Sequence, residues 1–557
     1  MAIQNALRES PLVLINTDSG HFLDKSEQVC SFELQPIFWE LISSTTTHVD
    51  YPRIEREVAE YYRYATFSHK WEDNEPLFEN VIHIVVYDLD ESLTHDKLQM
   101  FCKVVRDSGF HWAWSDTCCI NKGDHFVLQE ALVSMFKWYE GSALTVVLLR
   151  GVHSPSRRGD LVRSIWNTRA WAFQEYHASK VVRFYTEDWK PYLNPDIPNH
   201  KESPEIISEM EEATGVSARA LMGLRPGLDD IREKLRLAST RQTTRVEDAA
   251  YSLLGIFSMS IPVVYGEGDK ALGRFLAQLL TNSGDTSILA WTGRSGSFNS
   301  CLPGNITVFK QLPTTHIPPA LEHAEMDRIT TRSQTSPLNV ALVMKLYDRL
   351  DELPVPFFAN QRMKLPCITF RLGPVSASRS ASGRVFRAKT DVLGIVEIRT
   401  TEDLSRLDSL TLVHPWIDFL LCRQPVGTIT ETGENTNGQT SSVRDLPSSP
   451  GPSNPTLVMK QTRTWRLVPR LRLPFHARSQ DTTSLLSPSP VSPADKRMQA
   501  LRLIARLKQP FGALLLTGNA SAYRRVAAES LITVQVEELT PTVLNKLLDN
   551  IRTLDVL

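Results

Sequence analysis

The sequence predicts an α/β fold built on a parallel sheet with additional helices, followed by a smaller β-rich or α+β module. Three observations predict it. Short apolar strands alternate with amphipathic helices between Tyr64 and Trp291, the rhythm of a layered α/β domain. The run Leu144–Leu149 (LTVVLL) has the character of a strand buried on both faces, which is typical of parallel sheets. Beyond Trp291 the texture changes to strand-like stretches at Leu365–Leu372, Gly383–Arg399 and Ser409–Cys422.

Taken in order, residues 1–63 read as a lead-in with a helix over Arg53–Tyr62. Ala65–Phe67 reads as a short buried strand, Lys97–Ser108 as a helix and Phe110–Ser115 as a second strand. Asp124 is placed to cap a helix reaching about Glu140. In that helix Leu128, Ala131, Leu132, Met135, Phe136 and Tyr139 recur at helical spacing, with Gln129, Glu130, Ser134 and Lys137 opposite. Two further apolar stripes, Val246–Phe257 and Ala271–Leu280, predict helices that cover the sheet, with Pro262 and Gly266 between them. The strand-rich module then runs over 292–427. Residues 428–497 read as a largely disordered linker with low-complexity stretches at Thr428–Thr456 and Ser479–Pro493 and a short ordered segment near 457–475. A last α/β segment, 498–557, carries strands at Phe511–Thr517 and Leu531–Val536 and then a C-terminal helix.

Composition narrows the function classes. A formal charge of -2 over 557 residues gives no electrostatic footprint for nucleic acid. The 7 cysteines lack CxxC spacing and the N-terminus lacks a signal-like apolar run, so a reducing, cytoplasmic setting is expected. No stretch approaches the ~18 apolar residues of a membrane span, and no CxxC or HExxH suggests a metal.

Four ordered segments carry the functional signal: Tyr64–Trp71 (YATFSHKW), Trp114–Tyr139 (opening WSDTCCINK), Trp166–Glu175 (WNTRAWAFQE) and Thr244–Leu272 (opening TRVEDAAYSLLGIF). Together they resemble the heterokaryon-incompatibility (HET) domain of filamentous fungi over Tyr64–Trp291. The chain departs from the family pattern at Ala170, where a glycine is usual, at Ala172 and Phe173, where Thr-Leu is usual, and at Glu72, where a glycine usually follows the tryptophan. The resemblance implies a role in non-self recognition and programmed cell death, with residues 292–557 as a candidate regulatory or sensing part.

The order of elements also resembles, more distantly, TIR domains, flavodoxin-like modules whose enzymatic members cleave NAD. That likeness implies NAD as a substrate rather than a bound cofactor, self-association on activation, and Glu175 as the carboxylate facing the scissile ribose. A carboxylate suits the chemistry, because breaking the nicotinamide–ribose bond develops oxocarbenium-like charge. The residues themselves leave alternatives open. Glu175 reads equally as a helix-start carboxylate or a partner of Arg169. Asp116 would orient a ribose hydroxyl or cap a turn. Ser68 and His69 would line the cleft or pack. Arg169 would hold a phosphate or pair with an acid. Trp171, like Trp71 and Trp114, would stack on a ring or fill the core. Glu247 and Asp248 read as structural acids at a helix start. An NAD glycohydrolase and a non-enzymatic module that recruits a death partner are therefore both expected classes.

Overall fold

A computed structural model describes residues 1–44, 49–193, 197–310, 337–380, 383–407, 409–415, 493–519 and 522–557. The N-terminal sheet has six strands: β1 (Val13–Asn16), β2 (Phe22–Asp24), β3 (Tyr64–Ser68), β4 (Trp112–Trp114), β5 (Leu144–Leu149) and β6 (Val182–Thr186). Their order in space is β2-β1-β4-β3-β5-β6. The last four are parallel to one another and lie as second-first-third-fourth. This is a doubly wound, flavodoxin-like order, and such sheets bind ligands outside the carboxyl ends of the strands where the order reverses. Here the reversal lies between β3 and β5, and Ser68 is the last residue of β3.

Local chemistry explains the elements. All six residues of β5 are buried, as its unbroken apolar run requires of a central strand. The helix His125–Gly141 starts at Asp124, whose carboxylate accepts from Phe126 N at 2.8 Å and Val127 N at 3.2 Å. The helix before β4, Leu93–Asp107, is capped by Ser92, whose hydroxyl accepts from His95 N.

The structure differs from the sequence reading at several elements. Residues 1–63 are no mere lead-in, because β1 pairs antiparallel with β4 and its hairpin extends the sheet. The stripe from Val246 to Phe257 does not form one helix. Only Asp248–Tyr251 is helical, turns follow it, and Val246 is 58% exposed. Tertiary contacts override the periodicity there. Glu247 Oε1 accepts from the amides of Gly266 (2.8 Å) and Gly268 (2.9 Å), bending the segment toward the following turn. Gly255 packs so tightly on Phe136 that a Cβ would lie 2.2 Å from its Cβ. The second stripe does form a helix, Lys270–Ser283.

In the C-terminal part the strands Arg362–Arg371, Leu410–Pro415, Phe511–Asn519, Ala522–Arg525 and Ile551–Val556 pair in a closed ring. A separate antiparallel sheet is formed by Val375–Ser380, Gly383–Lys389 and Ile395–Arg399. Three features were not anticipated: the helices Pro337–Asp351 and Pro493–Leu507, and the terminal strand Ile551–Val556, which follows the helix Pro541–Asp549. The second helix opens inside the span read as linker. The low-complexity stretch Thr428–Thr456, the segment near 457–475 and Cys422 lie outside the described residues, as does all of Ser479–Pro493 except its last residue. Among the described residues no helix is long and apolar enough to cross a membrane.

The ring is not a loosely tethered module. Met363, Leu365, Leu514, Leu516, Leu554 and Val556 belong to the same buried cluster as the N-terminal core, whereas Ile368, Phe370, Leu412 and Leu515 face a second cluster with the helices. Period-2 alternation thus gives one sheet two apolar faces. Arg525 fastens the junction. It is 4% exposed, its guanidinium lies 3.8 Å from the Trp291 ring centroid, and it donates to the carbonyls of Leu289 (2.9 Å) and Trp291 (2.7 Å). Asn299 Nδ2 adds bonds to the carbonyls of Gln361 and Val556. Arg525→Met keeps the stem but strands those carbonyls, so urea unfolding followed by tryptophan fluorescence should show a loss of about 2–4 kcal/mol.

Candidate functional site

The site is built at the reversal point from three chain segments. The end of β3 supplies Ser68. The turn Ile165–Thr168 and the helix Ala170–Ala178 supply Trp166, Arg169 and Glu175. The stretch after the helix Ile231–Ser239 supplies Arg241 and Gln242. Gln242 holds the second segment through its backbone, donating to Thr168 O at 2.6 Å and accepting from Ala170 N at 2.9 Å. Arg241 Nη1 donates to the carbonyls of Asn167 (3.1 Å) and Arg169 (3.0 Å).

Glu175 is the centre of this arrangement. It is 2% exposed and lies in the middle of its helix rather than in the first turn, so the helix-start reading does not hold. Its Oε2 accepts from the Ser68 hydroxyl, which in turn accepts from Trp166 Nε1 at 2.7 Å. Arg169 Nη1 stands 4.0 Å from the same oxygen and also donates to the backbone carbonyl of His69. Burial raises the Glu175 carboxyl to about 7; the guanidinium of Arg169 pulls it down, Asp116 pushes it up, and Ser68 and Arg241 pull it down. Desolvation, aided by Asp116, therefore outweighs two arginines and a hydroxyl. Such a carboxyl is a functional-site candidate on physical grounds.

The remaining sequence candidates separate. Asp116 stands close by, and both its oxygens accept from Trp71 Nε1 at 3.2 and 3.1 Å. His69 contributes its carbonyl but not its ring. The imidazole is 2% exposed, stacks on Phe67 with centroids 4.2 Å apart, and lies 3.7 Å from Glu75. Burial lowers its pKa, so it packs as a neutral ring. Trp171 is half-buried and its indole N–H reaches Asp248, whose other partner is the Tyr265 hydroxyl at 2.9 Å. Trp114 is fully buried, but Trp71 is 38% exposed and is not a core residue.

Trp166 was visible in its motif but not its bond to Ser68, and Arg241 was missed outright. No motif surrounds Arg241; only the backbone bridge from Gln242 to Arg169 brings it in. Gln174, fully buried beside Glu175, has neither amide atom hydrogen-bonded among the described residues. The site is closed. A cavity of about 580 Å3 lies elsewhere, among the C-terminal helices, and Glu175 does not line it.

Comparison with known proteins bears on this geometry. Residues 64–161 match the family model described as heterokaryon incompatibility protein (HET). The chain carries a HET domain. Over 232 residues it is also 32% identical to the vegetative incompatibility protein HET-E-1 of Podospora anserina. That stretch covers 40% of this chain but 16% of the relative. No solved structure gives a significant match. The family match begins at β3 and ends in the short helix Asp160–Arg163 after β5, so it contains Ser68 and Asp116 but stops before Trp166–Glu175.

The Glu175 carboxyl makes stability depend on pH. Its folded value lies above its ordinary 4.5, so its contribution is favourable below about 4.5 and is lost as pH rises through about 7. Above that window the folded chain carries a buried carboxylate at a cost of roughly 3 kcal/mol. Glu175→Gln should equal the wild type near pH 5 and exceed it by roughly 2–3 kcal/mol at pH 8 in paired urea titrations.

Proposed function

We propose that this chain is an effector of non-self recognition that acts in vegetative incompatibility and leads to programmed cell death. Its HET domain does so by hydrolysing the nicotinamide–ribose bond of NAD. The printed name of the Podospora relative supports the first part. The second is carried by one observation: Glu175 is buried, bonded to Ser68, flanked by Arg169 and Arg241, and raised to about 7 at the carboxyl edge of the parallel strands.

In this reaction the ribose–nitrogen bond breaks with its electron pair leaving on nicotinamide, and positive charge develops on the ribose. The ionised Glu175 lies in low dielectric, where a charge acts more strongly than in water, and opposes that positive charge. Ser68 fixes the carboxylate through one oxygen. Water then supplies the new C–O bond and loses its proton. Arg169 remains partly exposed and is suited to a phosphate of the dinucleotide.

The buried Glu175 requires the domain to open before substrate enters, and self-association is the trigger we assign. The unpartnered amide of Gln174 favours such a change, since an unmet buried polar group costs about 1–3 kcal/mol in the closed state. The same burial favours a second reading, in which the domain recruits a death partner and Glu175 is structural.

The test is nicotinamide release from NAD by the full chain under enforced self-association, beside Glu175→Gln. The enzymatic reading expects turnover in the wild type, with a rate that rises with pH through an apparent pKa near 7. It also expects at least a ~100-fold loss in the folded variant, a scale typical of removing a charge-stabilising group. Ser68→Ala should shift the rising limb to higher pH, because it removes a hydrogen bond that favours the carboxylate. Cell death that persists in a folded Glu175→Gln chain would select the recruitment reading.

A further inference from the structure

Trp71 stands apart from the other tryptophans of the motif segments. Trp114 and Trp166 are buried and serve packing or internal bonds, whereas Trp71 is 38% exposed on the loop that leaves β3. Exposure usually goes with freedom, yet this ring is pinned. Its indole N–H is shared between the two oxygens of Asp116. The Lys122 ammonium lies 4.5 Å from the ring centroid and is itself held by the carbonyls of Asp116 (2.9 Å) and Thr117 (2.6 Å). Thus one edge and one face are occupied by the protein. A rigid aromatic face has been ordered before any ligand arrives, which lowers the entropy cost of stacking on it.

The location gives that face a use. Trp71 is three residues beyond Ser68, and its holder Asp116 is near enough to Glu175 to raise the carboxyl. In open α/β sheets this carboxyl edge is where nucleotides lie. Packing alone does not call for the arrangement, since a large part of the indole stays in solvent and Lys122 gives up hydration to sit over it. We propose that Trp71 is a stacking platform for the planar base of a nucleotide, an outer subsite of the Glu175 site that is accessible even while Glu175 is closed. The inference deepens the NAD reading and rests on it for substrate class. Asp116 and Lys122 are positioning residues, because they act through the ring.

The experiment measures binding to the full chain by ligand-observed NMR and calorimetry, with AMP and ribose 5-phosphate as probes. AMP should bind, with saturation transfer strongest at the base protons, and ribose 5-phosphate should bind much more weakly. Trp71→Ala should weaken AMP by about 10- to 100-fold, the scale of one base–aromatic stack, and Trp71→Phe, which keeps an aromatic face but loses the N–H bond to Asp116, should restore part of it. Both variants should still melt cooperatively as folded chains, checked beside the binding measurements, which separates lost stacking from lost folding. No AMP binding by the wild type, or equal binding by Trp71→Ala, would overturn the platform. Trp71-dependent AMP binding without NAD turnover would leave the platform standing while the hydrolase reading fails. NAD turnover with a KM untouched by Trp71→Ala would do the reverse.

Discussion

Everything at the carboxyl edge of the sheet depends on burying one carboxyl, Glu175. Placing that group at 2% exposure is costly unless its oxygens are met, and residues from two separated stretches meet it. Ser68 arrives on β3, Trp166 fixes Ser68 from the turn before the helix, and Arg169 spans from the helix start to the carbonyl of His69. Arg241 and Gln242 then hold the turn by its backbone. The first and third of the four motif segments thus meet at one carboxyl group, and Arg241 and Gln242, just ahead of the fourth, clamp the turn beside it.

The fourth segment closes the domain by a different means. Glu247 spends its side chain on the amides of Gly266 and Gly268, two glycines at φ 96° and 63°. A residue with a Cβ is strained there, which explains why this turn contains glycine at both places. Glu267 then joins Tyr251 at 2.9 Å and Arg274 of the following helix. These acids are structural. The helix they orient leads through Trp291 to Arg525, so the packing of the N-terminal core continues into the C-terminal ring without a break.

The sequence disclosed what periodicity and cap chemistry encode. The central strand Leu144–Leu149 and the helix after Asp124 were legible because burial on both faces and a 3.6-residue stripe leave unmistakable patterns. The candidate set around Glu175 was legible through motif resemblance, and Ser68, Asp116 and Arg169 do lie near it. His69 reads in sequence as lining the cleft or packing; its ring packs against Phe67 while its backbone carbonyl serves the site. Trp71 was weighed as core because tryptophan usually is, and nothing in SHKW tells which way the ring turns. The Val246–Phe257 stripe failed because long-range bonds from Glu247 bent a segment that local pattern makes helical. Arg241 and the ring strand Ile551–Val556 are defined by partners distant in the chain, about which local pattern carries no information.

Magnitudes decide how Glu175 should be understood. An arginine 4.0 Å away, a second guanidinium and a hydroxyl bond all favour the carboxylate, yet the carboxyl is held near 7. Dehydration, with the negative charge of Asp116 beside it, therefore exceeds their combined effect. A structural ion pair would do better with the acid nearer its ordinary value, because a half-ionised carboxyl forfeits much of the attraction to Arg169 near neutrality. An acid balanced in this way responds to small changes around it: admitting water lowers its pKa, and placing positive charge beside it lowers it further. Developing charge on a ribose is a change of that kind, and it would draw the full carboxylate from a group that the resting fold holds half protonated.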